Sequence, residues 1–468
     1  MRVGQVMIDL APLRQHRDFR LLFTGRFLSM AGNAVATTAA SWQVFGLTRS
    51  SLAVGLLTLA DSAGMLAGLL AGGMLADRHD RRTLMLASRV PLTLLAVLLM
   101  ANSLLPHPAL WAVYAITLAI GLLSGIGSPA STAAMPAVVG PEQLAAAAAL
   151  NAMGSQLGNL GGPALAGALI AGPGLASCYG IDAACFAIFG ATLWFIRPLP
   201  PTVRAERPGL RSMAAGFRYV RHNGVVGGML LVDTSAMIFG MPSALFPALA
   251  QQHFGGGSAT FGLLTAAPGL GAMVGALTSG WTGRVRKPGL VVIGAGIVWG
   301  AAIVGFGLSY NLAAGLAFLA LAGLGDLISE VLRNAMLQHY TPDPLRGRVT
   351  SLYLAQVTSA PAVGNVEAGL VAQLFSTTAS VISGGAACIA GALLLGAAIP
   401  ALRRATLAVP EHGDDRPQGG QGGQDQDQGQ DQDQGQDQDQ DQYQDQPRAA
   451  ALPGPVHQIG PDELPAAE

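Results

Sequence analysis

Long apolar segments recur along this chain and restrict the folds that it can adopt. An α-helix needs about 20 residues to cross roughly 30 Å of hydrocarbon, and apolar runs of about that length recur along the whole chain. They cover residues 19–46, 52–74, 83–104, 109–135, 145–171, 176–196, 224–249, 259–281, 288–309, 312–338, 349–375 and 380–402. The sequence therefore predicts an all-α membrane protein with twelve transmembrane helices.

Composition agrees with a membrane protein of many spans. Of the 468 residues, 51% are hydrophobic and 11% are charged, whereas a soluble protein carries roughly a quarter charged residues. The mean hydropathy is +0.44. Since the chain is so poor in charge, the positions of its charged residues carry most of the remaining information.

Basic residues concentrate in alternate loops, and this sets the predicted orientation. They precede the first span, follow the second, fill the connector after the sixth, and flank the eighth, eleventh and twelfth: Arg14, Arg17, Arg20, Arg78, Arg81, Arg82, Arg197, Arg204, Arg207, Arg211, Arg218, Arg221, Arg284, Arg286, Lys287, Arg346, Arg348, Arg403 and Arg404. The opposite loops contain only Arg49. Because short loops rich in Arg and Lys stay in the cytoplasm, both termini are predicted to be cytoplasmic.

The loop after the second span, residues 73–82, reads Gly-Met-Leu-Ala-Asp-Arg-His-Asp-Arg-Arg. It lies in water because half of its residues are charged, and Gly73 is expected to allow close helix approach. The pattern resembles the signature loop of the major facilitator superfamily of secondary transporters. That resemblance implies a cytoplasmic gating loop that contacts the start of the eleventh span near residues 348–350. Its residues are Gly73, Asp77, Arg78, Arg81 and Arg82.

A weak internal repeat divides the chain at its longest connector. Gly68 and Gly73 in the second span align with Gly275 and Gly280 in the eighth. We therefore predict a six-helix bundle at 1–196, a cytoplasmic connector at 197–223, a second six-helix bundle at 224–404 and a disordered Asp/Gln-rich cytoplasmic tail at 405–468. The superfamily resemblance implies a substrate site between the bundles.

Charged residues inside predicted spans are candidates for the transport pathway, because such charges are expensive in hydrocarbon. The candidates for the substrate and proton pathway are Arg26, Asp61, Asp233, Asp326, Glu330 and Glu367. Asp233 or Asp326 is the preferred proton carrier and Asp61 the third choice, because a carboxylate without a fixed cation can exchange a proton near neutrality. Arg333 shares a helical face with Asp326 and Glu330 and is expected to pair with Glu330. Asp182 is interpreted as structural.

The fifth span carries a small-residue motif formed by Gly158, Gly162, Pro163 and Gly167. It resembles a motif of superfamily exporters and favours export over import. Small residues permit close helix packing, and Pro163 permits a bend. Ordinary packing of small residues in a membrane explains the same pattern.

Other chemistry finds no support in the sequence. The single lysine, Lys287, follows Arg286, which excludes a P-loop. The histidines are scattered without metal-ligand spacing: His16, His79, His107, His222, His253, His339, His412 and His457. No catalytic motif occurs, so we predict no enzyme activity, no cofactor and no metal. The Arg-rich connector favours anionic lipid over nucleic acid as its partner.

A closer resemblance, covering roughly residues 10–404, is to the siderophore exporter branch of the superfamily, which includes enterobactin exporters. It rests on residues 20–26, 72–82, 136–144, 216–218, 226–228, 246–250, 275–280, 288–290, 336–338, 341–342 and 347–348. The resemblance implies a monomeric, multi-pass inner-membrane exporter of a small organic molecule, a siderophore, by proton antiport. The same branch contains drug and macrolide exporters, and the acid-rich spans leave a cationic amphiphile open as the alternative substrate.

Overall fold

The computed structural model describes residues 10–76, 78–199 and 210–407. Within these ranges the chain forms helices and turns, and no strand. Asp77, residues 200–209 of the connector with Arg204 and Arg207, and the Asp/Gln-rich tail from residue 408 lie outside the described residues.

The helices follow one another with short connections. In chain order they are α1 (Ala11–Gln15), α2 (Arg17–Thr48), α3 (Ser51–Ala76), α4 (Arg81–Ser103), α5 (Leu110–Val138), α6 (Leu144–Ala171), α7 (Leu175–Trp194), α8 (Leu210–His222), α9 (Gly224–Phe239), α10 (Phe246–Ala248), α11 (Ser258–Thr278), α12 (Pro288–Leu308), α13 (Leu312–Tyr340), α14 (Asp343–Leu374), α15 (Thr377–Ala398) and α16 (Pro400–Arg404). Single 3-10 turns occupy Pro141–Gln143, Ser243–Leu245 and Ser279–Arg284, and a π turn occupies Leu249–His253.

Nine helical segments of the described chain are long and apolar enough to cross a membrane. They coincide with nine of the predicted spans. The other three predicted spans fall on α2, α6 and α14, which are as long but more polar. Asn33 in α2, Asn151 in α6 and Gln356 in α14 are examples of the side chains that lower their hydropathy. The structure thus shows a multi-span helical protein, and the count of twelve stays a prediction.

The structure differs from the prediction in local detail at three places. Within the span predicted at 224–249 the α-helix is interrupted after Phe239, because Gly240 and Pro242 follow there and the indole Nε1 of Trp299 donates a hydrogen bond of 2.8 Å to the Gly240 carbonyl. The connector predicted as a loop contains α8. Finally, α14 begins at Asp343 rather than at 349, because a proline and an acidic residue in the first turn favour a helix start there.

Glycines let α3 and α5 pack backbone against backbone. Gly64, Gly68 and Gly72 recur at intervals of four on α3, and a Cβ built on Gly68 would lie 2.1 Å from the carbonyl oxygen of Leu122 on α5. The expectation that Gly73 serves this role is wrong, since a Cβ built on Gly73 meets nothing within 4 Å. Gly73 lies one residue beyond the stripe and therefore faces away from α5.

The N-terminal half, helices α2–α7, and the C-terminal half, helices α9–α15, meet mainly through two helix pairs. Near the end of the molecule that carries residues 48–52 and 253–258, here called the closed end, α3 packs on α14 and α6 packs on α11. Apolar clusters there mix residues of both halves, as where Trp42 stacks on Phe261 with ring centroids 5.4 Å apart. At the opposite end each half keeps its own apolar cluster.

Candidate functional site

A buried charge cluster in the C-terminal half joins α9, α13 and α14. The guanidinium of Arg333 on α13 contacts the Asp233 carboxylate on α9 at 2.8 Å and the Asp326 carboxylate at 3.6 Å. Asp233 also accepts a hydrogen bond of 2.9 Å from Gln356 on α14. Arg333 donates to Ser329 at 2.8 Å, one turn back on its own helix. The guanidinium of Arg333 therefore forms ion pairs with two carboxylates, one on α9 and one on α13.

The expected pairing of Arg333 with Glu330 is wrong. Glu330 forms no ion pair with any described residue, and it is exposed, whereas Arg333 is buried. Residues three apart are neighbours on one helix, yet the long guanidinium reaches Asp233 on the adjacent helix, where burial excludes competing water. Asp233 is thus fixed by a cation, and the premise that it lacks one is wrong.

Asp326 combines contact with Arg333 and access to solvent. Of its side-chain surface 43% is accessible, against 1% for Asp233. Glu330, one turn further along α13, is exposed. The two accessible carboxylates therefore lie beside the buried pair of Asp233 and Arg333.

The N-terminal half contains a buried arginine that the sequence analysis missed. Arg89 on α4 is 9% exposed, donates a hydrogen bond of 3.1 Å to Ser29 on α2 and lies 4.5 Å from the ring centroid of Phe189 on α7. It lies within the span predicted at 83–104, so a search for every charge inside a predicted span would have found it. Arg26, one helix away on α2, is half-buried.

Asp61 and Asp182 line a cavity of about 60 Å³ among α2, α3, α4, α5 and α7. Asp182 is 0% exposed, and neither of its carboxylate oxygens has a hydrogen-bond partner among the described residues. Asp61 is half-buried and forms no ion pair with a described residue. The structure brings these two carboxylates together but does not bring Asp61 to the Arg333 cluster.

Glu367 lies apart from both sets of charges. It occupies the part of α14 that packs on α3 near the closed end, two residues after the buried Asn365. Asn365 accepts hydrogen bonds from the Ser243 hydroxyl at 2.7 Å and the Ala244 amide at 2.8 Å. Glu367 itself is half-buried and makes no hydrogen bond within the described chain.

The described residues of the loop between α3 and α4 are bonded to the N-terminal half. Arg82 donates to the carbonyls of Leu193 at 3.0 Å and Trp194 at 2.7 Å, at the end of α7. Arg81 donates to the carbonyl of Ala133 on α5 at 3.0 Å. Cationic side chains at helix C-termini are stabilised by the exposed carbonyls. These bonds do not reach the start of α14, and the contacts of Asp77 lie outside the described residues.

The small-residue motif of α6 faces two helices. Gly162 packs on α2, where a built Cβ would lie 2.5 Å from Ala34. Gly167 packs on α11, where a built Cβ would lie 2.7 Å from the Ser258 carbonyl, and Gly262 of α11 would meet the Pro163 carbonyl at the same distance. Gly158 lies further from α2, with 3.7 Å to the Ala31 backbone. Part of the motif therefore holds the closed end together across the halves.

Apolar helices of membrane-spanning length with buried, paired charges between them are typical of membrane transporters. Solved transporters share the fold. A POT family transporter in complex with a thioalcohol conjugated peptide matches with a TM-score of 0.66 at 13% identity, over 82% of this chain and 96% of that one. A bacterial homologue of the human lysosomal transporter Spinster, inward-facing and unoccupied, matches with a TM-score of 0.61 at 16% identity, over 82% of this chain and 95% of that one.

The chain belongs to the transmembrane secretion effector family of the major facilitator superfamily, whose family model matches residues 7–417. Curated relatives include the enterobactin exporter EntS of Shigella boydii, 33% identical over 405 residues that cover 86% of this chain and 97% of the relative. EntS of Citrobacter koseri is 34% identical over 391 residues, covering 83% of this chain and 94% of the relative. The resemblance to the enterobactin exporter branch is thereby confirmed.

Proposed function

We propose that this protein is a secondary exporter of a siderophore, driven by proton antiport. The observation that carries the proposal is the 33% identity to an enterobactin exporter over 97% of that exporter's length. A match over nearly the whole relative includes both halves and the interior they enclose. The small organic substrate is the only cargo proposed; no cofactor and no catalytic step is involved.

The proposed architecture is twelve spans in two six-helix bundles, 1–196 and 224–404, as a monomer in the inner membrane with both termini cytoplasmic. The alternation of Arg-bearing loops supports this orientation. The closed end then faces the outside, and the described state is open toward the cytoplasm. Residues 73–82 form the proposed gating loop, and the hydrogen bonds of Arg82 to the last carbonyls of α7 support its anchoring on the N-terminal half.

The proposed pathway contains Arg26, Asp61, Asp233, Asp326, Glu330 and Glu367, and Asp326 is the proton carrier. Asp233 is held by Arg333 at 2.8 Å and by Gln356, so its charge is compensated in place. Asp326 contacts the same guanidinium only at 3.6 Å, and 43% of its side-chain surface is accessible. Protonation of Asp326 would remove its ion pair with Arg333, so that Arg333 would pair with Asp233 only. Because Asp233 lies on α9 and Arg333 on α13, protonation would thereby be coupled to the packing of these two helices.

A second candidate is export of a cationic amphiphile, as by a multidrug or macrolide efflux transporter. Asp326 and Glu330 favour it, because Asp326 is partly accessible and contacts the buried Arg333 only at 3.6 Å, while Glu330 is exposed and forms no ion pair with a described residue. An anionic siderophore would instead depend on Arg26 and on a protonated Asp326.

The test is to delete the gene and measure siderophore in the medium and in the cells under iron limitation. We expect less siderophore outside, more inside, and restoration by the wild-type gene. Asp326→Asn should abolish efflux driven by a pH gradient but retain substrate counterflow, because binding survives when coupling is lost. Asp77→Asn should insert normally yet transport poorly.

The matched control is Asp343→Asn, which makes the same chemical change at an exposed pair with Arg346 and should export normally. Unchanged siderophore distribution, together with increased accumulation of a cationic fluorescent dye on deletion, would favour the second candidate. If the Asp326→Asn variant kept full efflux driven by a pH gradient, Asp326 would not be the proton carrier.

A further inference from the structure

The segment that follows the break after α9 lies between the two halves at the closed end. Residues 243–253, here called the plug segment, consist of the 3-10 turn Ser243–Leu245, α10 and the π turn Leu249–His253. Ala244 and Ala248 belong to the apolar cluster formed mainly by the N-terminal half. Four other residues belong to the cluster of the C-terminal half: Leu245, Phe246, Leu249 and Ala250. All six are buried, so the plug segment fills space between the halves.

The break leaves a polar backbone group buried at the start of the plug segment. The first N–H groups of a helical segment have no acceptor within that segment, and a buried N–H needs one. Ala244 is 1% exposed, and its N–H donates a hydrogen bond of 2.8 Å to Asn365 Oδ1 on α14. The Ser243 hydroxyl donates to the same oxygen at 2.7 Å. Asn365 therefore caps the plug segment from another helix, as an N-cap side chain caps its own helix.

Asn365 lies where the plug segment, α14 and the N-terminal half meet. It is 4% exposed. A Cβ built on Gly55 of α3 would lie 2.4 Å from the carbonyl oxygen of Asn365, so the backbones of α3 and α14 are in contact at this residue. The side chain of Asn365 thus binds the plug segment, while its backbone contacts the opposite half.

The other end of the plug segment is held by two side-chain bonds. Gln251 accepts a hydrogen bond of 2.7 Å from Arg49 of the N-terminal half. His253 Nε2 donates a hydrogen bond of 2.7 Å to the carbonyl of Ser309, after α12. Together with the cap by Asn365, these bonds fix both ends of the plug segment.

The contribution of the cap depends on whether the closed end is closed or open. When it is closed, Ala244 is covered, and loss of the Asn365 acceptor would leave a buried N–H unpaired, which costs free energy. When the halves separate at this end, the N-terminal half no longer covers Ala244, and water can accept the bond instead. The acceptor oxygen therefore stabilises the closed arrangement more than the open one, and such a difference shifts the ratio of two states.

We propose that Asn365 is a positioning residue for transport, which acts by capping the plug segment and thereby stabilises the closed state of this end. The inference rests on the proposed exporter function, because alternating access requires this end to open and close in each cycle. Asn365 lies outside the Arg333 cluster and carries no charge, so its replacement leaves the charged residues of the proposed pathway unchanged.

The experiment measures the distance between spin labels on the two halves of the purified full-length protein. The labels are placed at Leu47→Cys and Tyr310→Cys, two exposed positions at the closed end, after the three native cysteines have been replaced. Asn365→Leu is similar in size but offers no acceptor. We expect it to raise the ratio of long to short distances about tenfold, which corresponds to about 1.4 kcal/mol.

The matched control is Asn102→Leu. Asn102 is 6% exposed, and its Oδ1 accepts a hydrogen bond of 2.9 Å from the Ala109 N–H within the N-terminal half. This variant removes an equally buried acceptor, so it should lower the melting temperature without changing the distance between the labels.

A second pair of variants decides the outcome if Asn365→Leu does not fold. Asn365→Gln keeps the amide but displaces its oxygen, and it should also lengthen the distance, whereas Asn102→Gln should not. A wild-type distance in the folded Asn365 variants, or an equal lengthening in the matched Asn102 variants, would overturn the proposal. The measurement needs no cargo, so that result would leave the exporter proposal standing, and the gene deletion tests export separately.

Discussion

At the scale of single residues, Arg333 is the most consequential side chain in the C-terminal half. It is 4% exposed and compensates Asp233, which is 2% exposed. Buried ion pairs contribute little net stability compared with apolar replacements, but removal of one partner leaves the other charge buried and unpaired. The same guanidinium also contacts Asp326. Loss of Arg333 therefore affects both the fold and the group proposed to carry the proton.

We expect Arg333→Met to destabilise the protein by about 3–5 kcal/mol, because it leaves the buried Asp233 without its cation. The double variant Asp233→Leu with Arg333→Met should recover much of this loss, since both charges are removed together. Thermal melting of the purified protein in detergent measures the difference.

The control for this prediction is Arg346→Met. Arg346 pairs with Asp343 at 2.7 Å on the surface, where both side chains are at least half exposed. An exposed pair of this kind contributes about 0–1 kcal/mol. A melting temperature for Arg333→Met that matches that of Arg346→Met would show that the buried pair does not support the fold.

At the scale of elements, the contact between α3 and α5 requires glycine at position 68 of α3 but not at position 73. Gly68 touches the α5 backbone, whereas Gly73, five residues on, faces open space. Five residues advance a helix by about 500°, or 140° beyond a full turn, so the two glycines lie on different faces. Small residues at such contacts let membrane helices pack closely.

Gly68→Ala is expected to lower stability by about 1–3 kcal/mol, because its methyl group would overlap the Leu122 carbonyl and force the helices apart. Gly73→Ala should be neutral or stabilising by up to about 1 kcal/mol, owing to the higher helix propensity of alanine. The two variants differ only in position, so each serves as the control for the other. Equal melting temperatures would contradict this account of the α3–α5 contact.

At the scale of the whole molecule, the two halves are held together at the closed end by close backbone contact and few polar bonds. Arg49 donates a hydrogen bond of 2.7 Å to Gln251 across the halves. Gly167 of α6 and Gly262 of α11 allow their helices to approach at the same end. A transporter that alternates its access must be able to separate such a contact, and glycines permit this without breaking salt bridges.

Gly262→Ala should shift the protein toward a state in which the closed end is open. The added methyl would lie 2.7 Å from the Pro163 carbonyl, and an overlap of about 1.4 kcal/mol changes a two-state ratio tenfold. Spin labels at Leu47→Cys and Gln252→Cys, one on each half, would report a longer distance. The native Cys178, Cys185 and Cys388 are free and would first be replaced.

Gly294→Ala is the control for this experiment, because a Cβ built on Gly294 meets nothing within 4 Å. It should leave the distance between the labels unchanged. An unchanged distance in Gly262→Ala as well would mean that the α6–α11 contact does not set the balance between states.

The features that could be predicted from the sequence are those that depend on consecutive residues, such as the length of an apolar run or a short motif. The length of an apolar run determines whether a helix can cross hydrocarbon, and the helix bounds follow the predicted runs closely, as for α6 and α12. The signature loop and the small-residue motif of α6 also identified the superfamily, because both are local patterns. Gly240 and Pro242 indicate a helix break in the sequence, but the apolar run around them led to the prediction of one continuous span.

Which side chains meet depends on how the helices pack against one another. Arg333 pairs with Asp233, more than ninety positions away, rather than with Glu330 three positions away, because the rotation of α13 and α9 about their axes places those two groups face to face. The orientation of α3 likewise selects Gly68 and not Gly73 for contact, and helix packing within the N-terminal half brings Asp61 and Asp182 to the wall of one cavity. Sequence spacing defines the faces of a helix, but the choice of neighbour for each face is made when helices pack, since only then do buried charges find partners or lack them.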